Sequence, residues 1–310
     1  MLNKYDYERQ DIEFNAEGTL LRGWLYRPKS TNQRLPAIVM AHGWGCLKEF
    51  YLDKYAEKFA KHGHVVLAFD NRNFGDSDGD IRQEIDPWQQ VRDYRHAITY
   101  IQSQSFVDPN KIGIWGTSYS GGHVLVVAAL DKRVKAVVSQ VPTTSGWQGM
   151  LRRIFPANWE KTYTDFNEDR VNRFNGSAPK LVPIFTDANV KGNASHASQD
   201  ALEFYSGKNA PENEKWRFEK FRNEVTLRSV EMYSEYEPGS YIDRIAPTPL
   251  LMLVAEKDVV AVTDQALNAF NRAREIKKLH IFSGGHFSAY IEQFEPLSEE
   301  AVEWYKQYLS

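Results

Sequence analysis

Short apolar runs alternating with helix-patterned stretches constrain this chain more than any other feature. Leu35-Pro36-Ala37-Ile38-Val39-Met40-Ala41, His64-Val65-Val66-Leu67-Ala68-Phe69, Lys111-Ile112-Gly113-Ile114-Trp115 and Val134 to Val138 are apolar almost throughout. A strand can be apolar at successive positions only when both its faces are covered, as in a parallel sheet packed between helices. The stretches between the runs supply those helices. Tyr51, Tyr55 and Phe59, with Leu52, form one apolar side. Pro87 opens a second stretch, with Val91, Tyr94, Ile98 and Ile101 at helical spacing, and Val124 to Leu130 gives a third. Residues 11–27 read as an antiparallel pair turning at Glu17-Gly18. The expected class is α/β, a mostly parallel central sheet flanked by helices.

The alternation stops near Pro142 and returns near Pro247. Leu250 to Ala255, a helix from Thr263 to Arg274, the run Lys278-Leu279-His280-Ile281-Phe282 and a last helix with Ala301, Trp304, Tyr305 and Tyr308 then complete the pattern. The expected organisation is a core of residues 1–141 and 248–310, with residues 142–247 inserted as a predominantly helical cap over the C-terminal edge of the sheet.

A net charge of −3 over 310 residues offers no basic surface for nucleic acid. The single cysteine, Cys46, excludes an internal disulfide framework. No segment is long and apolar enough to span a membrane, and the start Met1 to Tyr7 lacks the apolar stretch of a signal peptide. A cytoplasmic protein is expected, and the sequons at Asn175 and Asn193 then carry no weight. Zinc, nucleotide and dinucleotide motifs are missing, and Asp76-Ser77-Asp78-Gly79-Asp80 lacks the sixth-position glycine of a calcium loop, so no cofactor or metal is expected. The oligomeric state stays open, with a homodimer among the options.

Three loops that follow apolar runs carry reactive side chains. Gly116-Thr117-Ser118-Tyr119-Ser120-Gly121-Gly122-His123 places a serine between glycines on a strand-to-helix turn, where its hydroxyl can stand above the sheet. Glu256-Lys257-Asp258 follows the run at 250–255, and Ser283-Gly284-Gly285-His286 follows the run at 278–282. If all three runs are parallel strands, Ser118, Asp258 and His286 converge on one edge. The imidazole of His286 can take the Ser118 proton and return it to a leaving group, while Asp258 holds the ring in the needed tautomer.

With His42-Gly43-Trp44-Gly45, Asp70-Asn71-Arg72-Asn73-Phe74-Gly75-Asp76-Ser77 and the order serine, acid, histidine, the chain resembles serine hydrolases of the α/β-hydrolase fold. More narrowly, it resembles dienelactone-hydrolase-like esterases and peptidase-like relatives with an inserted helical cap. The resemblance covers nearly the whole chain outside 142–247. It implies Ser118 as nucleophile, Asp258 as orienting acid and His286 as base. Asn73 departs from it, since related sequences often have Gly after the Arg. An oxyanion site is expected from the backbone N–H groups of Tyr119, directly after the nucleophile, and Trp44, in the loop after the first buried parallel strand.

Other positions have plainer readings. His42 is expected to organise the oxyanion loop through a hydrogen bond, His123 to face the cap or lie buried, and His280 to pack within its strand. Glu256 and Asp264 are the rivals of Asp258. Cys46 reads as a small residue near the site mouth, and Asp70, Arg72, Asp76 and Ser77 as loop braces. Trp147, Met150, Phe155, Trp159, Phe166 and Phe174 are candidates to line a substrate pocket. Arg152 and Arg153 either meet a substrate carboxylate or are solvated helix charges. The expected reaction is hydrolysis of a carboxylic ester of a small or medium organic substrate through an acyl-enzyme. Thioester or lactone hydrolysis, acyl transfer, C–C bond hydrolysis and non-catalytic binding are the alternatives.

Overall fold

In the computed structural model, which describes residues 5–29, 33–186, 194–196 and 198–310, the chain opens with a hairpin. Met1 to Lys4 and the sequon residue Asn193 lie outside the described residues. Strands β1 (Tyr7–Ala16) and β2 (Thr19–Pro28) pair antiparallel, extending the expected pair at both ends. They turn through Glu17 and Gly18 at φ 54° and 92°, the left-handed geometry that suits the twist of a tight hairpin. The apolar runs become β3 (Leu35–Ala41), β4 (Val65–Phe69), β5 (Val107–Thr117) and β6 (Val134–Gln140). A separate short pair follows, β7 (Leu181–Val182) antiparallel to β8 (Val225–Thr226), before β9 (Leu250–Ala255) and β10 (Lys277–Phe282).

Among the described residues the main sheet has eight strands in the order β1-β2-β4-β3-β5-β6-β9-β10. It is antiparallel from β1 through β4 and parallel from β4 to β10. Every residue of β4 and β9 is buried, which accounts for their unbroken apolar runs, while the edge strand β10 is largely half-exposed.

The helices are α1 (Leu52–Lys61), α2 (Pro87–Gln102), α3 (Tyr119–Leu130), α4 (Gly146–Arg153), α5 (Trp159–Phe174), α6 (Gln199–Ser206), α7 (Leu227–Glu235), α8 (Thr263–Arg272) and α9 (Phe294–Leu309). Asp86 starts α2, its carboxylate accepting from the N–H groups of Trp88 and Gln89, with Pro87 in the first turn where no N–H is needed. Ala301, Trp304 and Tyr305 of α9 are buried, and the Tyr305 ring lies where a side chain at position 113 would otherwise stand.

β6 and β9 are neighbours in the sheet although residues 141–249 separate them in sequence. That stretch holds α4 to α7 and the β7–β8 pair. The sequence pattern shows no strand there, because a two-residue strand is too short to display a period. Several side chains of the stretch meet backbone carbonyls in the loops at the C-terminal ends of β3 and β9. Tyr205 and Arg217 donate to the carbonyls of Trp44 and Glu49, and Arg153 donates to that of Val260.

Candidate active site

Ser118 sits between β5 and α3 at φ 59°, ψ −122°, a backbone conformation that costs a side-chain-bearing residue of order 1–3 kcal/mol. The surroundings hold it there. Its N–H donates to the carbonyl of Gln140 at 2.9 Å, and its own carbonyl accepts from Thr143 N–H at 3.0 Å. The flanking glycines are required by close approach: a Cβ at Gly116 would stand 2.2 Å from the Ser120 carbonyl oxygen, and one at Gly121 2.7 Å from that of Gln140.

The three residues from separate loops meet. Ser118 Oγ lies 3.0 Å from His286 Nε2, and His286 Nδ1 lies 2.7 Å from Asp258 Oδ2. Asp258 is held from behind, its Oδ1 accepting from the N–H groups of Val260 (2.8 Å) and Ala261 (2.7 Å). A carboxylate only accepts, so Nδ1 of His286 carries the hydrogen and Nε2 is left as the acceptor facing the hydroxyl. Ser118 is 8% exposed, Asp258 5% and His286 1%, so the chain of bonds is largely screened from water.

The loop after β3 closes against the serine. A Cβ at Gly43 would stand 2.7 Å from Ser118 Cβ and 3.0 Å from its Oγ, so only glycine lets this backbone so near. Among the described residues, neither Trp44 N–H nor Tyr119 N–H donates to a protein acceptor. Tyr119 opens α3, where first-turn N–H groups have no partner within the helix and the helix dipole favours negative charge.

His42 braces this loop as expected. Its Nε2 bonds the Phe50 carbonyl at 2.9 Å and its Nδ1 accepts from Gly43 N–H at 2.8 Å, which fixes a neutral tautomer. Burial pushes its pKa down to about 3. Asp70, Asp76 and Ser77 also brace it, around a residue that the motifs do not flag. The buried Lys48 ammonium lies 2.6 Å from both Asp70 Oδ2 and Asp76 Oδ2, and Ser77 Oγ donates to the Asp70 carbonyl. Arg72 forks onto Asp93, at 2.7 and 3.1 Å. Asn73 has φ 72°, a left-handed position that Asn tolerates better than most residues, which explains how it replaces Gly there.

The rivals stand elsewhere. His280 is half-exposed on β10, 3.5 Å from Glu300, rather than packed in its strand. Glu256 is exposed, and Asp264 pairs with Arg152. His123 is buried, bonded to Tyr236 Oη and Gln90 Oε1, and burial takes its pKa down to about 3. Cys46 is buried, and burial pushes its thiol pKa up, so it is no ready nucleophile.

Beside Trp44 lies a cavity of about 260 Å³ whose walls include Met150, Arg153, Phe166, Ser195 and Tyr233. Of the aromatic and Met candidates read from sequence, Met150 and Phe166 line it. Trp147 and Trp159 do not: their rings pack on one another, 5.5 Å between centroids. Phe155, in the link after α4, and Phe174, at the end of α5, point outward, 76% and 90% exposed. Sequence reasoning missed His196 and Tyr205. His196 is buried against the Trp44 ring, and burial, with Arg153 and His286 nearby, holds its pKa well below the usual histidine range. Tyr205 bonds the Trp44 carbonyl from 161 positions away, a separation that no local pattern encodes.

The strand order and the strand-to-helix turn carrying Ser118 define the class: this is an α/β-hydrolase fold, and its solved neighbours are α/β hydrolases. Within that class the chain belongs to the X-Pro dipeptidyl-peptidase (S15 family), a hydrolase family that it matches over residues 17–288. It is 34% identical over 310 residues to the quorum-quenching protein AidA of Acinetobacter baumannii, covering 99% of this chain and 97% of that protein. It is 31% identical over 309 residues to the thiohydrolase aneE of Aspergillus aculeatus, covering 97% and 93%. The crystal structure of the α/β hydrolase GrgF from a Penicillium species superposes with a TM-score of 0.83 at 27% identity, covering 97% of this chain and 99% of that one.

Proposed function

We propose that the protein is a serine hydrolase that cleaves a carboxylic ester of a small or medium organic substrate through an acyl-enzyme. The observation that carries this reading is the bonded chain Ser118 Oγ, His286 Nε2, His286 Nδ1, Asp258 Oδ2, at 3.0 and 2.7 Å. Ser118 Oγ attacks the acyl carbon while His286 Nε2 takes its proton, and Asp258 stabilises the resulting imidazolium. The carbonyl oxygen, now negative, accepts from Trp44 N–H and Tyr119 N–H. One such donor is worth about 3 kcal/mol of transition-state stabilisation. His286 then gives the proton to the departing oxygen. Water repeats the attack with His286 as base, releasing the acid and restoring Ser118.

In this reading residues 142–247 act as a cap on a core of residues 1–141 and 248–310, and the narrower likeness to dienelactone-hydrolase-like esterases stands with it. The partner is a small-molecule acyl substrate, the location cytoplasmic, and a homodimer is compatible with it. A thioester is the second reading, because the same parts serve it and a relative matching over nearly the full length is named a thiohydrolase. Removal of an amino-terminal dipeptide is less favoured, since it calls for a carboxylate to receive the ammonium. Among the described residues Asp165 is the one carboxylate on the cavity wall, and it already pairs with Lys161 at 2.9 Å and Lys180 at 3.6 Å.

The test sets ester, thioester, lactone and amide panels before wild type and Ser118→Ala, with a fluorophosphonate probe as a second readout. Ester turnover and labelling at Ser118 are expected, with kcat in Ser118→Ala lower by roughly 10⁴- to 10⁶-fold. Turnover surviving in that variant overturns the nucleophile. Release of a C–C cleavage product as the main activity overturns the ester reading, and an unlabelled, inactive folded protein points to binding without catalysis.

A further inference from the structure

Arg152 and Arg153 are adjacent on α4 but part ways. Arg152 reaches Asp264 at 2.6 Å in an exposed ion pair. Arg153 turns into the cavity beside Trp44, half-buried, its Nη2 donating to the Val260 carbonyl at 2.8 Å and its Cζ lying 5.0 Å over the Tyr233 ring. Its Nη1 also reaches the Ser195 carbonyl at 3.5 Å, and two carbonyls and an aromatic face orient a guanidinium without neutralising it. Among the described residues no carboxylate lies within ion-pair distance of Arg153. The nearest cavity carboxylate, Asp165, is satisfied by two lysines.

Met150, Phe166 and Leu227 supply apolar lining beside polar residues such as Asn158, Thr162 and Ser195. The volume of about 260 Å³ lies just under the usual range for small-ligand pockets, which suits a short acyl group. Trp44 belongs to both places: its backbone adjoins the serine turn, and its indole lines the cavity. Ser118 and His286 are not among the lining residues, so an acyl group attached at Ser118 has to pass Trp44 to enter this space. An always-charged, pre-oriented fork set beside apolar side chains is complementary to a carboxylate.

We propose that this cavity receives a short acyl group bearing its own carboxylate, which pairs with Arg153; the proposal rests on Ser118-dependent acyl cleavage. The substrate class is then a half-ester or half-thioester of a short dicarboxylic acid. Arg153 acts on binding and orientation, with no proton transfer assigned to it.

The experiment compares the para-nitrophenyl monoester of adipate with its methyl-capped neutral counterpart. Wild type is expected to favour the anionic ester in kcat/KM. Arg153→Met should lower the anionic-to-neutral ratio roughly 10- to 100-fold, the range for a charged hydrogen bond, mainly through KM. Arg153→Lys should keep part of the preference, and Arg152→Met the wild-type ratio. A wild-type ratio at or below unity overturns the proposal without any variant, as does a loss in Arg152→Met equal to that in Arg153→Met. The ratio of dissociation constants in Ser118→Ala, read by tryptophan fluorescence, reports the carboxylate preference apart from catalysis. Turnover persisting in Ser118→Ala would overturn the nucleophile assignment and leave that ratio standing.

Discussion

Tyr205 of α6 donates its phenolic hydrogen to the carbonyl oxygen of Trp44 at 2.9 Å, tying a distant helix to the turn that abuts Ser118. Both groups are buried, so removing the hydroxyl strands a carbonyl at a cost of about 1–3 kcal/mol and frees the peptide beside it to rotate. Tyr205→Phe is expected to lower kcat roughly 10- to 100-fold, as small misplacements of reacting groups do, with KM nearly constant. Steady-state kinetics on one good ester check this. A change confined to KM would show that Tyr205 shapes the pocket and leaves the turn unmoved.

The positive φ of Ser118 predicts a trade between stability and chemistry. Alanine keeps the Cβ that the left-handed backbone resists, whereas glycine removes it. Ser118→Gly should therefore be more stable than Ser118→Ala by about 1 kcal/mol, although neither variant turns over substrate. Urea unfolding of the two variants, compared at equal m-value, decides the matter. Equal midpoints would mean that the turn carries no such strain.

Burial makes His64 a determinant of acid stability, lowering its pKa to about 4. Between pH 6.5 and 4 the unfolded chain binds a proton at this imidazole and the folded chain does not. Stability is therefore lost as pH falls through that window, by about 1.4 kcal/mol per pH unit for one such group. His64→Gln should flatten the slope of unfolding free energy against pH by that amount, relative to wild type. Parallel slopes would place the folded pKa of His64 near its ordinary value.

The sheet was legible because burial on both faces leaves an unbroken apolar run. β3, β4, β5, β6 and β9 all carry one, and the loop after such a run is where reactive side chains gather. Ser118 and His286 were readable as candidates for the same reason, each in a loop after a strand with a nearby glycine that local geometry demands, Gly116 and Gly284. Residues 142–247 were legible only as helical. Their faces are set by what they rest on, so sequence alone could not tell Met150, which lines the cavity, from Phe174, which points to solvent. Lys48 escaped notice because a lysine in sequence looks like a surface charge. Only the folded loop shows Asp70 and Asp76 closing around it. Arg152 and Arg153 are the clearest case: identical neighbours whose fates diverge by one step of helical rotation.

Trp44 follows Gly43, which abuts Ser118, and presents its carbonyl to Tyr205 and its indole to the cavity and Ser195. On the proposed function, one residue thus joins what is recognised to how fast it reacts. A change in α6 or α4 made to admit a new substrate should also be felt in turnover, and a change that improves turnover should narrow or widen what is accepted. On that reading, selectivity and rate are inherited together.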